Sequence, residues 1–128
     1  MRKSIPIILC LVAACAPQDR PDGRQAFLAD CAACHGRDAK GNGPAAVAMG
    51  VVAPDLTTLS ARNGGVFPRD AVRSIIDGFE RDPHFSSAMP EFGAGDMGDT
   101  VIVEEDGLPV PVPARLLELS DYLESIQG

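Results

Sequence analysis

The chain has 128 residues, 45% hydrophobic but only 5% aromatic, with no Trp and a formal net charge of −7. That is enough for one domain, yet it supplies few large flat side chains to fill a core, so a bound flat cofactor would help. An acidic chain has no electrostatic grip on a nucleic-acid backbone, and charge alone would not hold it to anionic lipid.

The chain opens with Arg2 and Lys3, followed by the apolar run "IPIILCLVAA" over residues 5–14. This run is about half the roughly 20 residues that a membrane-spanning helix requires. A basic patch, a short apolar run and then small residues describe an export signal. Its end, "LVAAC", resembles the lipobox of bacterial lipoproteins, which implies cleavage before Cys15 and a lipid on the Cys15 thiol. The alternative is an ordinary cut around Ala14–Ala16, which Pro17 disfavours, releasing a soluble protein. Loss of residues 1–14 leaves nine basic residues against 18 acidic ones, a net charge of −9. Such acidity suits a basic docking partner, and it also simply keeps a protein soluble. The expected organisation is a signal peptide over 1–14, a lipid-anchored tether over 15–22 and one folded domain over 23–128.

"GRQAFLADCAA" (23–33) reads as a helix with Asp22 as N-cap. Residues 36–66 are rich in Gly and Pro and read as loop, with a short helix around 44–49. "FPRDAVRSIIDGF" (67–79) places Val72, Ile75, Ile76 and Phe79 on one helical face, with Pro68 in the first turn and Gly78 at the end. Residues 80–95 have no period and read as loop. In "TVIVEEDGLPVPV" (100–112), β-branched residues flank Asp106-Gly107, a hairpin signal, and Pro109, Pro111 and Pro113 restrict the second arm to an edge. "ARLLELSDYLESIQ" (114–127) is a helix with Leu116, Leu119, Leu123 and Ile126 as its stripe and Tyr122 beside it.

Cys10 lies in the signal and Cys15 at the cleavage point, leaving Cys31 and Cys34 for chemistry. An exported protein is expected to use disulfides, but no second pair exists to build a framework. In "CAACH", two thiols and an imidazole fall within five residues. A structural zinc wants four Cys or His ligands, and beyond these three the chain offers only His84. A thioredoxin-like dithiol sits at the head of a helix in a βαβ setting, whereas this pair closes the end of a helix. The glycines of "GRDAKGNGPA" lack the preceding strand and the spacing of a phosphate loop. Haem remains: positions i, i+3 and i+4 share a helical face, and Cys-x-x-Cys-His is the c-type haem attachment signal. Cys31 and Cys34 then form thioethers and His35 meets the iron from one side.

With Gly23 and Phe27, "CAACHG", "GNGP", "PDL" at 54–56, "MPEF" at 89–92 and "LSDYLESI" near the end, the chain resembles the class I, single-haem cytochrome c family over about residues 23–92 and 114–127. The resemblance implies an all-α fold in which the N- and C-terminal helices cross around one covalent haem c, with Gly23, Phe27, Tyr122 and Leu123 at the crossing. The hairpin near 99–113 is an insertion in that pattern. It implies that the Pro54 carbonyl holds the second nitrogen of His35 and that Met89 is the second axial ligand. Pro90 favours an extended Met89. His84 is the main rival; Met49 reads as packing and Met97 as exposed. Arg62 and Arg81 are weak candidates for the haem propionates.

These features imply a single-electron carrier rather than an enzyme, working in the bacterial envelope on the periplasmic side. It would be a monomer, lipid-anchored at Cys15 or else soluble in the periplasm, exchanging electrons with a respiratory complex or dehydrogenase and binding no nucleic acid. The alternative is a haem enzyme or ligand sensor with an open or displaceable sixth position. The hairpin segment 93–113 either packs by the haem edge, shaping docking or shielding the propionates, or is a surface insertion.

Overall fold

The first helix, α1 (Gly23–Asp30), starts where its orphan N–H groups find an acceptor. The Asp22 carboxylate takes the N–H of Arg24 at 2.8 Å and that of Gln25 at 3.3 Å. The computed structural model describes residues 22–79, 81, 88–105 and 107–128. The expected signal peptide over 1–14, Cys15 and the rest of the expected tether before Asp22, and His84 lie outside these residues.

α1 was expected to run unbroken to residue 33. It instead pauses at Cys31 and resumes as the single turn α2 (Ala32–His35). The pause is slight, because the Cys31 carbonyl still accepts from Cys34 N–H at 3.2 Å and His35 N–H at 2.9 Å. α3 (Pro44–Met49) falls where expected, with Pro at its first position and Gly50 closing it in a left-handed conformation. The loop beyond it contains structure that the sequence did not announce: a 3₁₀ turn at Leu56–Thr58 leading into α4 (Leu59–Arg62).

α5 (Arg69–Asp77) buries Val72 and Ile76 as its period predicts, but Phe79 is 86% exposed. The helix stops at Gly78, whose φ is 97°, so residue 79 no longer continues the helical face. A 3₁₀ turn at Phe92–Ala94 packs back on α5. β1 (Thr100–Glu105) and β2 (Leu108–Pro113) then form an antiparallel hairpin in the register Val101↔Val112 and Val103↔Val110. Pro109, Pro111 and Pro113 occupy alternate positions, so every missing N–H donor falls on the same side of β2. That side is the free edge, and the prolines cap it against further pairing.

α6 (Ala114–Ser125) buries Leu116, Leu119, Ser120 and Leu123. Helices α1 and α6 cross at Gly23, where any Cβ would collide with the Glu118 carbonyl. One turn on, the Phe27 ring, fully buried, meets that of Tyr122 at 5.3 Å between centroids and 45° between planes. Ion pairs tie the remaining elements to this cross: Arg115 to Asp30, Arg69 to Asp121 and Glu124, and Arg73 to Glu105. Arg73 is 8% exposed and also donates from Nε to the Ser120 hydroxyl at 3.2 Å, which anchors the hairpin to α5 and α6 at once. Met97, expected on the surface, is 7% exposed and belongs to the core. Among the described residues the chain is thus helix-rich, with one small two-stranded sheet, an architecture compatible with a cytochrome c fold. No helix among them is long and apolar enough to cross a membrane.

Candidate haem site

Cys31, Cys34, His35, Pro54 and Met89, all singled out by the sequence, converge on one cavity of about 420 Å³, within the ~300–1,000 Å³ typical of cofactor sites. One wall is the Cys31–His35 turn. Another is the 49–56 segment, with Met49, Val51, Val52 and Pro54. α5 contributes Val72, Ile75 and Ile76, the 88–92 segment contributes Met89 and Phe92, and the α1–α6 cross contributes Phe27, Leu119 and Leu123. Apart from the two thiols, Asp30 and His35 are the only ionisable side chains among the described lining residues. An apolar slot with a few convergent donors is what a flat hydrophobic cofactor requires.

The loop of residues 36–43 folds tightly so that the 53–54 segment can reach the imidazole. Gly43 N–H donates to the Cys34 carbonyl at 3.0 Å, and Gly41 N–H to that of His35 at 2.7 Å. Gly41 adopts φ 80° with the Ala53 carbonyl where a Cβ would stand, a conformation and a contact that favour glycine. The Pro54 carbonyl then lies 3.3 Å from His35 Nδ1. With its proton on Nδ1 the ring donates to Pro54, which leaves Nε2 as the free lone pair. Burial pushes the His35 pKa down, and the Pro54 hydrogen bond partly opposes this. The net downward shift favours the neutral ring, the form able to bind a metal.

Cys31 and Cys34 are unpaired. Burial, reinforced by the Asp30 charge, pushes the Cys31 thiol up to about 12. Redox-active dithiols work through the opposite shift, a stabilised thiolate, so the burial of Cys31 does not favour a thiolate nucleophile there. No group of three or more His, Cys, Asp or Glu side chains arranged to hold a bare metal ion occurs among the described residues.

Met89 is half-buried, lines the cavity and packs against the core. Met49 lines the cavity too, but is 52% exposed, so it is not the packing residue its sequence context suggested. Met97 does not line it. None of the hairpin residues, nor any described residue from 93 to 113, lines the cavity, so the hairpin is braced on α5 and α6 instead of forming a cavity wall.

A family profile, described as "Cytochrome C oxidase, cbb3-type, subunit III", matches residues 18–104. The chain belongs to this c-type cytochrome family. No curated protein and no solved structure gives a significant match. A cytochrome c domain carries covalently bound haem c, and this family works in haem-based electron transfer with respiratory redox partners. The residues present fit that group: two free thiols and an oriented neutral imidazole face an apolar cavity that also holds a methionine.

The two arginines considered for propionates are otherwise engaged. Arg62 donates from Nη2 to the Asp55 carbonyl at 2.9 Å. Arg81 bonds the carbonyls of Ile75, Met89 and Pro90. Gln127 escaped the sequence reading altogether. Its amide donates to Leu56 O at 2.8 Å and accepts from Ser60 N–H at 2.9 Å, so the chain end pins the segment that follows Pro54. No local pattern signals a partner 71 residues away.

Asp55, next to Pro54, accepts from the Thr57 hydroxyl at 2.7 Å and the Thr57 N–H at 2.8 Å. These bonds, the hydroxyl's first, hold its carboxyl below the usual aspartate pKa. A depressed folded-state pKa means that the charged form is stabilised by folding. The contribution is complete above the ordinary Asp range and is lost as pH falls through Asp55's own lowered value. Asp55→Asn is therefore expected to be less stable than wild type at neutral pH, with the gap closing on acidification. Urea unfolding along a pH series checks this; a gap that stays constant into the acid limb would remove the linkage.

Proposed function

We propose that this protein is a single-electron carrier. One haem c is bound through Cys31 and Cys34, and its iron is held by His35 and Met89. The observation that carries this reading is the gathering of two unpaired thiols, an imidazole with Nδ1 committed to Pro54, and the Met89 thioether around one apolar cavity. When bound, the haem supplies an iron that gains and loses one electron.

The chain's own residues do the rest. Pro54 fixes the plane and tautomer of His35, and such outer support tunes a metal centre. Met89 is a weak donor that favours reduced iron and raises the potential. With His35 and Met89 both holding the iron, no place would be left for a substrate, which would suit a carrier and not an enzyme. The apolar walls keep water away and limit reorganisation when charge changes.

The folded unit is residues 23–128. Residues 1–14 are an export signal, and Cys15 is the lipid-bearing first residue of a short tether. The protein works as a monomer on the periplasmic side of the bacterial envelope, where c-type cytochromes characteristically function. The family description names an oxidase subunit, which supports a respiratory complex as electron partner.

The visible spectrum of the purified holoprotein tests this. A low-spin ferric haem with a methionine–iron charge-transfer band, inert to carbon monoxide when reduced, is the expected result. A high-spin haem that readily binds carbon monoxide or peroxide would make it a haem enzyme or ligand sensor instead.

A further inference from the structure

The Arg81 side chain ties the segment that carries Met89 to α5. Helix α5 ends at Asp77 with unsatisfied carbonyls, as every helix does. Gly78 and Phe79 N–H groups both go to Ser74 O, at 2.9 and 3.1 Å. The next carbonyl, Ile75 O, receives Arg81 Nε at 3.1 Å and Nη2 at 3.0 Å. From there the planar fork reaches across: Nη1 donates to Met89 O at 2.8 Å and Nη2 to Pro90 O at 2.7 Å. Two consecutive carbonyls, one of them Met89's own, are thereby locked to the C-terminal turn of a core helix. The approach is tight on the far side as well, since a Cβ at Gly93 would collide with Asp77.

We infer that Arg81 is the positioning residue for the Met89 thioether, acting through the Met89 and Pro90 carbonyls. This inference rests on the axial role of Met89 proposed above. A methionine sulfur binds iron weakly, so the fraction of time it stays bound depends on how little freedom its backbone has. Arginine suits the task because its donors form a rigid fork and its charge does not titrate, and a cation also suits a helix C-terminus. Lysine places its donors on one flexible ammonium and lacks the planar fork that spans these carbonyls.

Loss of the clamp raises the population of the methionine-dissociated state. An external ligand competing for that position then binds more tightly in direct proportion. The experiment is imidazole titration of the ferric holoprotein, followed by bleaching of the methionine–iron band, in wild type, Arg81→Ala, Arg81→Lys and Arg69→Ala. Arg69→Ala is the control, because it removes the α5–α6 ion pairs with Asp121 and Glu124 without touching Met89. The expected result is imidazole affinity raised roughly tenfold in Arg81→Ala, by less in Arg81→Lys and not at all in Arg69→Ala. Equal affinity in wild type and both Arg81 variants would overturn the inference, as would an Arg69→Ala shift as large as that of Arg81→Ala. Should Arg81→Ala not fold, Arg81→Lys against wild type decides alone. Met89→Ala distinguishes the two levels: if that variant keeps the band, the axial assignment is what fails.

Discussion

Met89→Ala is expected to abolish the methionine–iron charge-transfer band of the oxidised holoprotein and to lower its reduction potential. Axial ligands span roughly 0.8 V across haem proteins, and the drop expected here is on the order of 0.2 V. Its sign follows from chemistry: the thioether prefers ferrous iron, and water or a stronger donor taking its place prefers ferric. The vacated position should then accept carbon monoxide in the reduced state, which the wild type is expected to refuse. Met89 lies at the cavity wall, half-buried, with its carbonyl held by Arg81, so truncation removes the sulfur without unmaking the segment. Met49→Ala is the matched control, since Met49 also lines the cavity but is 52% exposed; it should leave band and potential near wild type. Absorption spectroscopy and potentiometric titration read both outcomes. Retention of the band in Met89→Ala would remove Met89 from the site.

The second large effect is expected at Phe27. This ring has no exposed surface, packs against the tilted ring of Tyr122 at the α1–α6 crossing and forms part of the cavity wall. Phe27→Ala deletes a ring from a core with few others, at a cost of about 3–5 kcal/mol, of which the aromatic pairing itself is about 0.5–1.5. For a domain of this size the melting temperature of the holoprotein should fall by about 10–20 °C. Phe27→Leu, which restores most of the volume, should lose less than half of that. Collapse of the crossing is impeded from the other side, because Gly23 already sits against the Glu118 carbonyl. Circular dichroism melts give the stability, and denaturing mass measurement reports haem attachment separately. An unchanged melting temperature would show that the crossing is not the stabilising contact described here.

The two predictions differ in how visible their residues are in the sequence. Phe27 lies within a helix whose cap and period can be read locally, and α3, α5, α6 and the hairpin are equally legible, because each is fixed by contacts a few residues apart. CAACH is legible for the same reason: a helical turn alone brings its thiols and imidazole to one face. Local pattern also misled where the chain turned. Phe79 continues the period of α5 on paper, but Gly78 ends the helix first and leaves the ring in solvent. Met97 sits between glycine and acidic residues, yet packs into the core, where its carbonyl accepts from Arg115 N–H at 3.0 Å.

What the sequence by itself determined is the chemistry available: two thiols, an imidazole and several methionines in a chain too poor in aromatic side chains to fill its own core. What only the tertiary structure decided is how these groups meet. It brought Pro54 to within 3.3 Å of His35 across 19 residues and placed Met89 but not Met97 on the cavity wall, arrangements that the family resemblance implies but that no local pattern builds. It turned Arg81 onto the Met89 carbonyl and set the hairpin against Arg73, away from the cavity. The reason is physical. Capping and periodicity are settled within one or two turns of chain, whereas these contacts depend on loop closure and on the α1–α6 crossing, which no local window of residues encodes.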